Sequence, residues 1–144
     1  MIREATAADL GALLRLYLHL HETRLPDAHR ADAAWRKILA DPDHHVLVYE
    51  LDGEIVSSCV CAVIPNLTRD ARPYALIENV VTRADCRGRG YATACLGRAR
   101  EIAGEAGCYK IMLMTGAKDA ATLDFYRRAG FDSAEKTAFI LRLD

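Results

Sequence analysis

Apolar and polar residues recur along this chain with two periods, and the places where the period changes mark out its elements. Ile2 to Ala5 is a short candidate strand. Thr6 opens a T-x-x-D helix-start pattern with Asp9. Leu10, Leu13, Leu14, Tyr17 and Leu20 then fall at helical spacing and predict a helix over about residues 7–22. His21 to Arg30 holds Pro26 and several charges and reads as a loop. Ala31 to Leu39 is a shorter helix with Trp35, Ile38 and Leu39 on one side, ended by Asp41-Pro42-Asp43.

From there the period drops to two. Val46 to Leu51 is a strand, Asp52-Gly53 a hairpin turn, and Glu54 to Ile64 the return strand. Pro65 to Pro73 is polar and turn-rich, and Tyr74 to Thr82 is a third long strand. Gly88-Arg89-Gly90 leads into a helix running to about Ala106, with Ala92, Cys95, Leu96, Ala99, Ile102, Ala103 and Ala106 on one stripe and Gly107 as its C-cap. Tyr109 to Met114 reads as a strand, and Asp119 to Arg128 as a helix closed by Gly130. Thr137 to Leu143 reads as a last strand with Phe139, Leu141 and Leu143 on one face. The order β-α-α-β-β-β-α-β-α-β is most economically folded as α/β, a mixed sheet flanked by helices. No linker or repeat divides the 144 residues, which points to a single domain, 1–144.

Charge narrows the partners. Nineteen Lys and Arg against 20 Asp and Glu leave a formal charge of −1, so no bulk positive field favours nucleic acid. No apolar run reaches the ~18 residues that span a bilayer, and the first residues have no apolar signal core. The expectation is a cytoplasmic protein with no membrane partner. Five cysteines without a C-x-x-C pair fit a reducing compartment. Cys59 and Cys61 read as small buried hydrophobes on one strand face. His44-His45 reads as a loop or edge pair, and the histidines and cysteines supply no set of four metal ligands, so no metal is expected.

Three features carry candidate chemistry. The first is the strand-to-helix turn Arg87-Gly88-Arg89-Gly90-Tyr91-Ala92-Thr93. Glycines let backbone approach a ligand, and a helix start offers free N–H groups to phosphate oxygens. Thr93 stands where a dinucleotide fingerprint needs glycine, and no Gly-Lys-Ser/Thr follows. The second is Glu78-Asn79 inside an apolar strand, where a carboxylate is disfavoured unless it meets solvent, an ion-pair partner or a reaction. The third is Phe125-Tyr126-Arg127-Arg128-Ala129-Gly130-Phe131, whose Tyr126 is either a packing aromatic or a phenol used as acid or donor. Each of the three, taken alone, also fits a purely structural role.

Their combination and order resemble the GNAT superfamily of acetyl-CoA-dependent N-acetyltransferases, most strongly over about residues 74–131. The resemblance implies a mostly antiparallel mixed sheet of about six to seven strands with about four helices. It also implies acetyl-CoA as co-substrate. Arg87, Gly88, Arg89, Gly90, Tyr91, Ala92 and Thr93 would grip the pyrophosphate. Val80, Val81 and Thr82, beside a bulge, would pair with the pantetheine arm. Tyr126 falls on the tyrosine that faces the CoA sulfur. Ile77-Glu78-Asn79-Val80-Val81 and Gly107-Cys108-Tyr109-Lys110-Ile111-Met112-Leu113 are similar to glucosamine-phosphate N-acetyltransferases. Where that group has Glu-Asp, this chain has Glu78-Asn79. The segment Thr115 to Asp124 is longer and lacks the usual Asn before Phe-Tyr. Asp119 or Thr122 stands in that region as a cofactor contact.

The implied reaction is direct acetyl transfer to a primary amine of a small molecule. Glu78 is the candidate base, and an enclosed carboxylate suits that task. Tyr126 is the candidate acid. Cys86 has no base near it in sequence, and no covalent intermediate is required. His21, Arg24, Arg30, Arg69 and Arg72 offer charges for an anionic or hydroxylated acceptor. The rival readings are a protein lysine or N-terminal acetyltransferase, and a non-catalytic acyl-CoA-binding module that would need neither Glu78 nor Tyr126. The resemblance also implies a homodimer, with Thr137 to Leu143 as a contact strand.

Overall fold

The computed structural model describes all residues from Met1 to Asp144. Its elements are β1 (Ile2–Glu4), a 3-10 turn (Ala7–Asp9), α1 (Leu10–Tyr17), α2 (Ala28–Ala40), β2 (His44–Leu51), β3 (Glu54–Ile64), α3 (Thr68–Ala71), β4 (Tyr74–Thr82), a second 3-10 turn (Ala84–Cys86), α4 (Tyr91–Glu105), β5 (Ile111–Leu113) and α5 (Ala120–Arg128). Two units divide the chain, Met1–Met112 and Leu113–Asp144.

The sheet runs β1-β2-β3-β4-β5, and its first four strands are antiparallel neighbours. Tyr109 N–H donates to Pro73 O and Ala75 N–H to Lys110 O, both at 3.0 Å. These bonds advance the same way along both segments, so the β4–β5 edge is parallel and the sheet is mixed. The hairpin turn is as read from sequence: Asp52 (φ 50°) and Gly53 (φ 80°) are both left-handed, the geometry a two-residue hairpin demands.

Local chemistry explains where several elements begin. The Asp9 carboxylate accepts the Thr6 N–H at 2.7 Å and receives two bonds from Arg3, at 2.7 and 3.0 Å. The T-x-x-D signal is therefore also an ion pair that fastens β1 to the start of α1. α1 stops at Tyr17, earlier than periodicity suggests. His19 N–H and Leu20 N–H turn back to Leu16 and Tyr17 in i→i−3 bonds. α2 starts at Ala28, earlier than expected, because the Asp27 side chain caps the Arg30 N–H at 2.9 Å. α3 adds a helix beyond the four expected, a single turn wound left-handed at Arg69, Asp70 and Ala71 (φ 54°, 61° and 55°).

The two faces of the sheet bury different sets. Val60 packs with Leu13, Trp35, Val46 and Val48 beneath α1 and α2. Cys61, one residue on, points to the other face, where its Sγ lies 3.9 Å from Ala99 O of α4. Cys59 and Cys61 are fully buried and pack as small hydrophobes, in line with the sequence reading. Burial pushes the Cys61 thiol up to about 11. A hydrogen bond with Cys95, together with burial, pushes the Cys59 thiol well above its ordinary range. Cys86 is buried too, which removes it as an exposed nucleophile. His44 and His45, read from sequence as a loop or edge pair, instead open the interior strand β2 and pair with Ala62 and Cys61 of β3; His45 Nδ1 lies 3.0 Å from Glu4 Oε1.

One strand expectation fails. The sheet has five strands, not six to seven, because residues 137–143 are not a strand. Phe139, Leu141 and Leu143 are 91%, 85% and 95% exposed. Alternation gives this segment an apolar face, but a strand also needs a neighbouring ladder for its N–H and C=O groups, and none engages it here.

Candidate active site

The centre of β4 departs from regular pairing. Val60 is the partner of Glu78, and Ser58 the partner of Val81. Asn79 and Val80 thus stand against Cys59 alone, which is a β-bulge. Asn79 is left-handed (φ 51°), a conformation that asparagine tolerates better than β-branched or bulky residues. The extra residue flips the strand's faces. Ile77 pairs with Cys61 toward α4, whereas Val81 pairs with Ser58 on the α1 side. The bulge that the family resemblance implies is present, and Asn79 is its pivot.

Glu78 lies at the edge of this bulge on the α1 and α2 side of the sheet. It is exposed, contrary to the expectation of an enclosed carboxylate. The apolar cluster on that face reaches its partner Val60 and extends no further along the pair.

The far end of β4 is braced from three directions. The Ser57 hydroxyl donates to Val81 O at 2.9 Å and lies 2.8 Å from Thr82 Oγ1. Arg83 N–H donates to Val56 O, which makes residues 83 and 56 a bonded pair. Alternation along the ladder then turns the backbone groups of Thr82 away from β3. Thr82 O accepts the Arg87 Nε at 3.2 Å.

Beyond β4, Gly88 (φ 76°) and Gly90 (φ 84°) are both left-handed, and Gly90 is the N-cap of α4. A Cβ added at either glycine would meet no heavy atom within 4 Å, so the loop's surface is open to a ligand. The first i→i−4 bond of α4 is Ala94 N–H to Gly90 O. The N–H groups of Tyr91, Ala92 and Thr93 consequently have no partner within the helix. This is a fit for a diphosphate: free donors, the positive end of a helix dipole, and the exposed Arg89 beside them. The Tyr91 ring is held against Tyr49 at 4.5 Å between centroids.

Arg87 acts differently from Arg89. Its Nη2 donates to His19 O at 3.1 Å, so its guanidinium is spent on holding the turn to the end of α1. His19 Nδ1 also accepts the Ala84 N–H at 3.4 Å. Sequence reasoning missed His19, since nothing local marks a residue whose partners are 65 and 68 positions away. Ser57 and Ser58 did leave a signal: two hydroxyls inside an otherwise apolar strand. A polar cavity of about 390 Å³ opens beside this junction, lined by Arg3, Asp9, Arg15, His19, Glu54 and Arg83 among others. Arg3 and Arg83 are already matched there by Asp9, Glu50, Glu54 and Asp85.

The second unit holds the remaining sequence candidates. Asp119 is the N-cap of α5, accepting the Thr122 N–H at 2.9 Å and its hydroxyl at 2.8 Å. Those bonds hold its carboxyl below the usual range. Both residues thus have a local task in starting the helix. Tyr126 is half-buried, edge-on to Phe125 (5.0 Å) and Phe131 (6.4 Å).

Comparison with known proteins follows this geometry. The model of the acetyltransferase (GNAT) family matches residues 10–131. A glucosamine 6-phosphate N-acetyltransferase from Trypanosoma brucei brucei is 32% identical over 99% of this chain and 94% of its own length. A solved structure of a provisional acetyltransferase from Agrobacterium tumefaciens is 41% identical, with a TM-score of 0.92 and 99% of each chain covered. A glucosamine-6-phosphate N-acetyltransferase structure from Arabidopsis thaliana superposes with a TM-score of 0.88 over 100% of this chain and 98% of that one. At 21% identity it speaks to the fold alone.

Proposed function

This chain belongs to the acetyltransferase (GNAT) family, and we propose that it moves an acetyl group from acetyl-CoA directly to a primary amine of a small molecule. The observation that carries the proposal is the succession of two features, one within β4 and one just beyond its end. The open, left-handed Gly88/Gly90 turn heading α4 suits a diphosphate, and the Asn79 bulge of β4 presents Glu78 on the sheet face.

When bound, acetyl-CoA supplies an activated acetyl thioester. The N–H groups of the Arg87–Thr93 turn and Arg89 hold its diphosphate, and Arg87 keeps the turn in shape. Backbone groups of Val80 and Thr82 receive the pantetheine arm, with Asp119 and Thr122 as further contacts, while Val81, paired with Ser58 and accepting the Ser57 hydroxyl, holds the strand between them. An amine at neutral pH is mostly protonated, so Glu78 takes its proton, directly or through one water; its exposure leaves it accessible to either. A backbone N–H near Val80 hydrogen-bonds the carbonyl oxygen as charge develops on it. Tyr126 gives a proton to the departing sulfur. A thiol of pKa ~8.5 is a good leaving group, so this last step contributes about 10²-fold.

The similarity to a glucosamine 6-phosphate N-acetyltransferase makes amino-sugar phosphates the first acceptors to try. We place the enzyme in the cytoplasm as a homodimer joined through residues 137–143, whose apolar side chains are otherwise exposed. A monomeric sedimentation profile would contradict the dimer. The reaction itself is tested by CoA release with a panel of amines, amino sugars and peptides. Turnover confined to peptides would favour a protein acetyltransferase, and acetyl-CoA binding without turnover would favour a binding module.

A further inference from the structure

We infer that the Tyr17 hydroxyl holds the nitrogen of the acceptor amine, accepting one of its N–H bonds beside Glu78. The inference rests on the acetyltransferase reading above and adds a second residue to its acceptor side.

Tyr17 is the last residue of α1, one turn beyond Leu13. Leu13 is buried in the cluster that holds Trp35, Val46, Val48 and Val60, and the half-buried Tyr17 packs against that cluster. Ser58 lies on the same face of the sheet, two residues before Val60 in β3. The Tyr17 hydroxyl makes a hydrogen bond with Ser58. Periodicity alone makes Tyr17 a packing residue, and a phenylalanine would pack as well; the hydroxyl carried to Ser58 asks for a further reason.

The direction of that bond follows from the hydrogens available. A serine hydroxyl has one to give. That of Ser58 goes to Leu47 O at 2.8 Å. Between the two hydroxyls Tyr17 is therefore the donor and Ser58 Oγ the acceptor. The single hydrogen of the phenol is then spent as well, and its oxygen offers only lone pairs. A carbonyl oxygen, such as that of a thioester, cannot use them. An amine or ammonium N–H can. Burial raises the phenol above its ordinary range, so it stays neutral while a base works beside it.

Position brings this oxygen to the reaction. Val60 is the partner of Glu78 and Ser58 that of Val81. Ser58 thus stands beside the Asn79 bulge as a diagonal neighbour of Glu78, about 7–8 Å away. Side chains of the length of tyrosine and glutamate can meet at one nitrogen across that distance. The end of α1 is also tied to the cofactor turn. His19 is two residues on; its carbonyl accepts the Arg87 guanidinium and its Nδ1 the Ala84 N–H. Tyr17 therefore keeps a fixed place relative to the Gly88/Gly90 turn. With one N–H held by the phenol, the nitrogen is oriented while Glu78 takes a different proton. All of these residues belong to the Met1–Met112 unit.

The test is CoA release by the full chain with a productive amine, each substrate varied in turn, in wild type, Tyr17→Phe and Ser58→Ala. Tyr17→Phe keeps the packed ring and loses only the oxygen. The expected result is a KM for the amine raised about tenfold, with the KM for acetyl-CoA unchanged. Ser58→Ala unhooks the phenol without removing it and should raise the amine KM by less. A purely structural Tyr17 behaves otherwise: loosening the end of α1 loosens its bonds to Arg87 and Ala84, so the KM for acetyl-CoA rises too. An amine KM unchanged in both variants, or KM values for the two substrates that rise together, would overturn the inference. Absence of CoA release by wild type with every amine would instead overturn the acetyltransferase reading.

Discussion

The Arg87 guanidinium donates to the backbone carbonyl of His19 across 68 positions of chain, at 3.1 Å. With its second bond, to Thr82 O, it fixes the end of β4 and the end of α1 to the same loop. The two arginines of the turn are therefore unequal: Arg87 braces, and Arg89 faces outward.

Removing the brace should loosen the turn without touching the reacting atoms. Arg87→Ala is expected to raise the KM for acetyl-CoA about fivefold to tenfold, equivalent to about 1 kcal/mol for exposed charge-assisted bonds, with little change in kcat. Arg87→Lys should not rescue it, because an ammonium cannot serve two carbonyls in the geometry of a guanidinium fork. His19→Ala keeps the carbonyl and loses only the Nδ1 acceptor, so its effect should be smaller. Steady-state kinetics with acetyl-CoA varied checks all three.

Asn79 holds the bulge at φ 51°. Asn79→Val should cost about 1–2 kcal/mol, the penalty for forcing a β-branched residue into the left-handed region, and Asn79→Gly should cost much less. Denaturant melts of the two variants check the order. The Val variant should also lose turnover beyond its loss of stability, because relaxing the bulge re-aims Glu78 and Val81 together.

Asp9 gives the chain a defined acid sensitivity. The hydrogen bond from Arg3 lowers its carboxyl from 3.8 to about 2. A carboxyl depressed in the folded state stabilises above its unfolded value and loses that contribution as pH falls through the folded one. Stability should thus decline between about pH 4 and pH 2, by at most roughly 2 kcal/mol from this group. Asp9→Asn should remove that portion of the decline and lower stability at neutral pH by a similar amount. Unfolding free energies measured across the acid range decide it.

Most of this fold was legible because its long elements carry strong periods. Glu54–Ile64 and Tyr74–Thr82 occur at the boundaries the sequence predicts, and the Asp52-Gly53 turn has the expected left-handed pair. The failures have two causes: helix ends set by local bonds, such as the Asp27 cap and the i→i−3 turns after Tyr17, and elements that depend on partners distant in sequence. Thr137 to Leu143 has the alternation of a strand and no ladder. α1 ends early, at Tyr17. The candidate site divides the same way. The glycine turn and Glu78-Asn79 announce themselves through residues out of place in an apolar strand or at a helix start. His19 gains its meaning only from Arg87 and Ala84, which the fold brings to it. The exposure of Glu78 was not legible either, since it depends on how far α1 and α2 cover the sheet.

The central claim is that Glu78 is the base of an acetyl transfer to a small-molecule amine. Its most direct test is CoA release by wild type, Glu78→Gln and Tyr126→Phe with a productive amine, alongside acetyl-CoA binding to each. The account expects turnover by wild type, a fall in kcat of about 10²-fold or more in Glu78→Gln, a fall of about 10²-fold in Tyr126→Phe, and unchanged acetyl-CoA affinity in both. A Glu78→Gln enzyme with wild-type kcat would contradict it.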